Sequence, residues 1–232
     1  LGGLNWGTGA SRLDLLAAGG VAFALLTSAA QGGERGSALA HLVHPAARTF
    51  VYECADGFGF VARIEGETAW LFLPRKTQSL PHVESGSGAK YSDGAVTYWG
   101  KGEEALLETG DEVHRGCRNN RAKAIWEQAK LDGVDFRAVG NEPGWFLEIR
   151  WRHRIVFVGD YGQSRYEFPA PEPQVDQAAR KTLLSTRDGG HELVVELRGR
   201  PCHDSMSGEP FETTVTVRLD GKTYPGCGRA LH

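Results

Sequence analysis

Two short glycine-rich segments hold the side chains best suited to meeting a charged partner. In Ser85-Gly86-Ser87-Gly88-Ala89-Lys90-Tyr91 the hydroxyl of Ser87 can both donate and accept, and Gly86 and Gly88 remove bulk on either side of it. In Trp99-Gly100-Lys101-Gly102 the ammonium of Lys101 suits an ionised carboxylate. A serine in such a loop ordinarily closes a turn, a lysine between glycines is ordinarily solvated, and Tyr91 and Trp99 at strand spacing read as core. Neither segment alone therefore specifies an activity. Gly86 to Lys90 also misses the G-x-x-x-x-G-K-[ST] spacing of a phosphate loop, and no helix pattern follows it.

A second set lies towards the C-terminus. Glu142, His203, Asp204 and Ser205 offer carboxylate, imidazole and hydroxyl, the ingredients of a hydrolase. Adjacent strand residues point to opposite faces, however, and a triad is built from positions distant in sequence. These residues read instead as a turn with room for a small ligand or partner, and Asn141-Glu142 before Pro143 reads as a sheet corner. His41 and His44 stand three residues apart without a nearby carboxylate or cysteine, whereas a metal site needs three or four ligands. No metal and no cofactor are expected.

The elements that must position these residues follow from composition and pattern. The chain has 232 residues, 41% of them hydrophobic, with a formal net charge of −3. That charge gives no basic field for a phosphate backbone, so nucleic-acid binding is not expected. Residues 50–120 carry seven basic and eleven acidic side chains, and a charged partner of that segment should be basic. β-prone runs at Phe50 to Cys54, Gly59 to Ile64, Thr68 to Leu73, Ala95 to Trp99 and Glu104 to Glu108 are separated by turn clusters, at the spacing of a small antiparallel barrel or sandwich. Asn119 to Leu131 reads as a short amphipathic helix with Ala122, Ile125, Trp126 and Ala129 on one face. Phe136 to Val139, Trp145 to Trp151, Arg154 to Val158, His191 to Leu197 and Thr213 to Leu219 read as strands again, and Phe168 to Pro173 as a proline-rich loop.

The expected class is therefore all-β: two small antiparallel β-barrel or sandwich domains, residues 50–119 and 134–232, joined by a short helix at 120–133. Four cysteines allow three connectivities. Pairing Cys54 with Cys117 and Cys202 with Cys227 gives each domain its own disulfide; the alternatives would lock two independently patterned segments together. No C-x-x-C pair suggests a metal.

The N-terminal segment is set apart from the fold. Leu15 to Leu26 is a twelve-residue apolar stretch that follows Arg12 and leads into Ser28-Ala29-Ala30, the pattern of a secretory signal. As a helix it would span roughly 18 Å, against about 30 Å of hydrocarbon, so no stable transmembrane anchor is expected. Residues 1–30 read as a signal peptide and 31–49 as a linker. A periplasmic or secreted location follows, and its oxidising environment favours disulfides.

The middle segment also carries a recognisable order of motifs. Tyr52-Glu53-Cys54, Leu80-Pro81-His82-Val83, Ser85-Gly86-Ser87-Gly88-Ala89-Lys90-Tyr91-Ser92 and Tyr98-Trp99-Gly100-Lys101-Gly102-Glu103-Glu104-Ala105, closing at Cys117, resemble the bacterial membrane-bound and periplasmic inhibitors of c-type lysozyme. The resemblance implies an eight-stranded antiparallel barrel whose first and last strands are tied by a disulfide. It further implies an inhibitory surface made of the Ser87, Gly88, Ala89, Lys90, Tyr91 loop and Lys101, with Ser87 inserted into the enzyme and Lys101 beside it. Lysozyme cleaves its polysaccharide with two carboxylates in a cleft. A hydroxyl on a narrow loop and an ammonium are the groups that would satisfy them.

Gly140 to Trp145, Cys202 to Gly208 and Gly221 to Gly228 resemble a family of bacterial envelope proteins of unassigned function, which names no partner for the second domain. The leading expectation is a proteinaceous inhibitor of c-type lysozyme that is not itself an enzyme. A periplasmic ligand-binding or envelope-stress protein that uses the barrels as scaffold is the alternative.

Overall fold

The computed structural model describes residues 46–110 and 112–232. The expected signal peptide, most of the linker, and His41 with His44 lie outside the described residues. Among the described residues no helix is long and apolar enough to cross a membrane.

Eight strands, β1 (Arg48–Glu53), β2 (Gly59–Glu65), β3 (Thr68–Leu73), β4 (Lys76–Val83), β5 (Ala89–Ser92), β6 (Val96–Lys101), β7 (Glu104–Thr109) and β8 (Glu112–Asn119), form a closed barrel in sequence order. Closure comes from β1 against β8, where Tyr52 pairs with Asn119 and Glu53 with Arg118. Eight strands leave an interior just wide enough for side chains to fill. Alternate residues fill it: Tyr52, Phe60, Leu71, Leu80, Tyr98 and Leu107 are buried, with Ala62 and Ala69 making room for the rings. Cys117 lies on β8, and its disulfide to Cys54 ties the end of β1 to β8. The barrel begins at Arg48, two residues earlier than the expected boundary.

Helix α1 (Arg121–Leu131) starts where Asn120 caps it, the Asn120 side chain accepting from the Lys123 N–H. Its buried residues are Ala124, Trp126 and Ala129, while Ala122 and Ile125 of the expected apolar face are exposed. The helix does not lie on one flat surface. It packs along β1, and Trp126 packs with Phe211 and Cys227 towards the C-terminus, so two neighbours divide its circumference.

The second sheet contains β9 (Phe136–Asn141), β10 (Gly144–Arg150), β11 (Arg154–Gly159), β12 (Ser164–Pro169), β13 (Gln174–Asp176), β14 (Lys181–Asp188), β15 (His191–Arg198), β18 (Thr213–Leu219) and β19 (Lys222–Ala230). Its order is β12-β11-β10-β9-β19-β18-β15-β14-β13, antiparallel throughout. The sheet curls around one core in which Phe168 of β12 and Leu184 of β14 belong to the same cluster, and the Thr186 hydroxyl donates to the Pro169 carbonyl across the seam at 2.9 Å. It is thus a half-barrel whose edge strands β12 and β13 are not joined by a backbone ladder. The expected loop at Phe168 to Pro173 begins inside β12, because Phe168 fills that core. Between β15 and β18 a two-stranded ribbon, β16 (Cys202–His203) with β17 (Pro210–Phe211), is fastened to β19 by the Cys202–Cys227 disulfide.

Candidate functional site

In an up-and-down barrel alternate connections share one end. The β2–β3 turn, the β4–β5 loop (residues 84–88) and the β6–β7 turn therefore lie together, and the last two carry Ser87 and Lys101. The β5–β6 register sets Ala89 opposite Gly100 and Lys90 opposite Trp99, which brings Gly88 level with Lys101. Gly88 has φ +70°, and a Cβ there would stand 2.5 Å from the Gly100 carbonyl oxygen and 3.2 Å from the Lys101 Cβ. Only glycine allows the two loops to approach so closely.

The β4–β5 loop is held by donors aimed at its carbonyls. The Trp99 indole Nε1 donates to the Ser87 oxygen at 2.7 Å, and the Ser85 hydroxyl lies 3.3 Å from the same oxygen and 3.1 Å from that of Gly88. The backbone at Ser87 is thereby fixed while its exposed hydroxyl has no hydrogen bond among the described residues. Trp99 is 38% exposed and lies outside the barrel, contrary to its expected place in the core. Tyr98 points inward, and a side chain next to it on a strand must point outward. That alternation is visible in the sequence and signals the outward face, while the contact with the Ser87 carbonyl is set by tertiary structure.

Lys101 is exposed and has no carboxylate within ion-pair distance among the described residues. Its acidic neighbours are already engaged: Glu103 with Arg121 at 2.8 Å, and Glu104 with Arg118 at 2.8 Å. The Arg121 guanidinium, with the Asn119 amide, holds the Glu103 carboxyl below its usual range. Lys90 is half-buried opposite Trp99, and Ala89 is half-buried beside the loop. Tyr91 turns its ring into the barrel, 5% exposed and stacked on Tyr98 at 5.9 Å, so it supports the loop from beneath. Under the loops the Tyr52 and Tyr98 hydroxyls hydrogen-bond at 3.0 Å, and burial raises both phenols above their ordinary value. The Tyr98 hydroxyl fits because residue 100 is glycine; a Cβ there would lie 2.6 Å from it.

The second set of candidates is only partly brought together. The Asn141 side-chain nitrogen donates to Asp204 at 2.8 Å and to Ser205 at 3.0 Å. The other Asp204 oxygen accepts from the backbone N–H of Met206 and Ser207 and from the Ser207 hydroxyl, closing the turn. Burial works to raise the Asp204 carboxyl, but the donors from Ser207, Asn141 and Met206 prevail and hold it below its usual value. His203 and Glu142 are exposed, and neither makes a hydrogen bond to Asp204 or Ser205 among the described residues. Asp204 thus acts as the closure of a turn. Among the described residues no cluster of three His, Cys, Asp or Glu side chains could hold a metal ion. Asn141-Glu142-Pro143 does form a corner, the tight connection of β9 to β10, with a cis Glu142–Pro143 bond.

Comparison with known proteins places residues 52–115 in agreement with the family model described as membrane-bound lysozyme-inhibitor of c-type lysozyme. A curated relative from Yersinia enterocolitica, named membrane-bound lysozyme inhibitor of C-type lysozyme, is 37% identical over 73 residues, which is 31% of this chain and 62% of the relative. The chain thus spans somewhat less than two thirds of that relative's length. No solved structure matches the chain. The residues matched by the family model end within β8, so the helix and the half-barrel sheet lie outside them.

Proposed function

We propose that this chain is a proteinaceous inhibitor of c-type lysozyme, acting through the two-loop end of its barrel. The observation that carries the reading is the pairing of two unengaged groups on interlocked loops: the Ser87 hydroxyl, whose backbone Trp99 holds, and the Lys101 ammonium, whose neighbouring carboxylates are occupied elsewhere. The agreement of residues 52–115 with the inhibitor family and the name of the Yersinia relative support the same reading.

The chemistry is complementary. Two carboxylates in a cleft, one acid and one nucleophile or stabiliser, carry out glycoside cleavage. The loop at Ser87, narrowed by Gly86 and Gly88, enters such a cleft, and its hydroxyl donates to one carboxylate while Lys101 pairs with the other. Preorganisation matters because a loop already held by Trp99 and Ser85 loses little conformational freedom on binding. Gly88, Ala89 and Lys90 shape the loop, and Tyr91 supports it from within. The net acidity of residues 50–120 favours a basic partner. In this reading the chain blocks an enzyme and is not one itself, and it acts in the periplasm or outside the cell, where its two disulfides persist. Residues 50–119 form the inhibitory domain and residues 134–232 a second domain, with α1 wedged between them.

The test is titration of the purified protein into a lysozyme cell-wall lysis assay beside Ser87→Ala, Lys101→Ala and the double variant. Loss of either side chain should cost about 2 to 5 kcal/mol of binding, because it leaves a buried carboxylate unpaired. Absence of inhibition by the wild type, or full inhibition by the double variant, would overturn the reading.

A further inference from the structure

The outer face of the half-barrel carries a feature that the barrel's proposed role does not use. Outward residues of a sheet are ordinarily polar, yet Val139, Phe146 and Val158 stand side by side on the outer face of β9, β10 and β11, where Phe146 pairs with both valines. Their strand neighbours Ala138, Leu147 and Phe157 belong to the core, so the two sets point in opposite directions. This apolar row is the floor of a groove of about 540 Å³, within the range of small-molecule sites. Trp126 of α1 lines one part of it and Tyr161 another.

Tyr161 is 75% exposed, the second most exposed of the large apolar side chains among the described residues, and its backbone is left-handed, with φ +56°. A residue with a Cβ adopts that conformation at an energetic cost and needs a structural reason. Here the conformation lays the ring against the backbone of Gly144, where a Cβ would stand 2.8 Å from the ring. Gly144 and the left-handed turn together hold an aromatic face open to solvent beside the groove.

Arg137, the cation that lines the groove, is already paired, and the charge left there without an ion-pair partner among the described residues is the Asp204 carboxylate. Arg137 is paired with Glu148 and covered by the Phe146 ring at 4.5 Å; Glu209 is paired with Arg229 at 3.2 Å; Asp204 accepts from Asn141 and the 206–207 turn, neutral donors that leave its charge in place. An anionic ligand would find no unbalanced cation among these residues and would meet the Asp204 carboxylate. The floor strands each have neighbours on both sides, so an extended peptide would find no free backbone edge to join. What remains is aromatic surface with neutral hydrogen-bonding groups at its rim, among them the Asn141 side-chain oxygen, which has no partner among the described residues. A pyranose ring has the matching distribution, with apolar C–H faces and hydroxyls around the edge.

We propose that this groove binds an uncharged oligosaccharide, with a sugar ring stacked on Tyr161 and its hydroxyls met by Asn141. The site is independent of Ser87 and Lys101, which lie on the barrel.

The test is calorimetric titration of the full chain with chitotetraose and cellotetraose, and with tetragalacturonic acid as the anionic counterpart. At least one neutral tetramer should bind saturably at one site, more tightly than the acid. Tyr161→Ala should weaken that binding about tenfold, whereas Tyr161→Phe should keep it, since the face of the ring is retained. The Ser87→Ala/Lys101→Ala variant should bind as the wild type does, which separates this proposal from the inhibitory one. Four outcomes would overturn it: no binding of either neutral tetramer, tighter binding of the acid, binding unchanged in Tyr161→Ala, or equal loss in Tyr161→Phe and Tyr161→Ala. Tyr161 is exposed, so unchanged thermal unfolding of its variants serves as the folding control.

Discussion

The indole nitrogen of Trp99 donates to the carbonyl oxygen of Ser87 at 2.7 Å, joining the outer wall of β6 to the tip of the β4–β5 loop. The bond engages the backbone of Ser87 and leaves its hydroxyl for another molecule. Trp99→Phe keeps a ring on the surface and removes the donor. A hydrogen bond of this kind is worth about 1 kcal/mol, so lysozyme inhibition should weaken roughly fivefold while the unfolding midpoint changes little. Inhibition titrations paired with thermal melts check this; equal inhibition by the variant would mean that the loop is held by other contacts.

Gly88 should tolerate no side chain. Gly88→Ala would force a Cβ against the Gly100 carbonyl at a backbone of φ +70° and push the Ser87 and Lys101 loops apart. The expected cost is about 1 to 3 kcal/mol in urea unfolding, accompanied by loss of inhibition. Gly86→Ala meets no atom within 4 Å and serves as the control, with stability near that of the wild type.

The two disulfides should contribute unequally. Their sequence separations are 63 residues for Cys54–Cys117 and 25 for Cys202–Cys227. In the chain-entropy model these loops correspond to roughly 4 and 3.5 kcal/mol. Double alanine replacement of either pair, followed by denaturant unfolding, should destabilise the chain by amounts in that order. Removal of Cys54–Cys117 should also weaken inhibition, because it ties the strands that close the barrel.

Asp204, in the turn between β16 and β17, should be part of the chain's acid sensitivity. Its folded carboxyl is held below the ordinary value near 3.8, so its contribution is present above that value and is lost as pH falls through the lower, folded one. Stability measured from about pH 5 down to about pH 2 should therefore fall less steeply in Asp204→Asn than in the wild type. An unchanged slope would show that the turn donors do not favour the ionised form.

How much of this was legible depended on whether a strand announces itself by alternation. Thr213 to Leu219 does, with buried Val215, Val217 and Leu219 between more polar residues, and so does Tyr98-Trp99-Gly100 once Tyr98 is taken as inward. Strand β4 does not: of Lys76–Val83 only Leu80 is buried, and its polar residues face water on a rim. Strand β19, with Pro225 and glycines at 226 and 228, lacks the composition of a strand. It is nonetheless a strand because Pro225 lies beyond the stretch paired with β9, and the glycines allow Val139, Arg137 and Trp145 to approach closely. The helix pattern was correct in position and half correct in its buried face, with Trp126 and Ala129 buried and Ala122 and Ile125 exposed, because a single periodic stripe assumes one neighbour and α1 has two.

The sequence by itself determined the all-β class, the two cysteine pairings, the capped helix and the two glycine-framed loops, since each rests on local preference or on motif order. The tertiary structure alone decided which groups remain unengaged. Lys101 is available because Arg121 and Arg118 take its acidic neighbours, and Ser87 because Trp99 takes its carbonyl rather than its hydroxyl. His203 and Glu142 make no such constellation with Asp204. Hydrogen-bond and ion-pair partners are chosen by register and closure between segments far apart in the chain, and no local pattern encodes that choice.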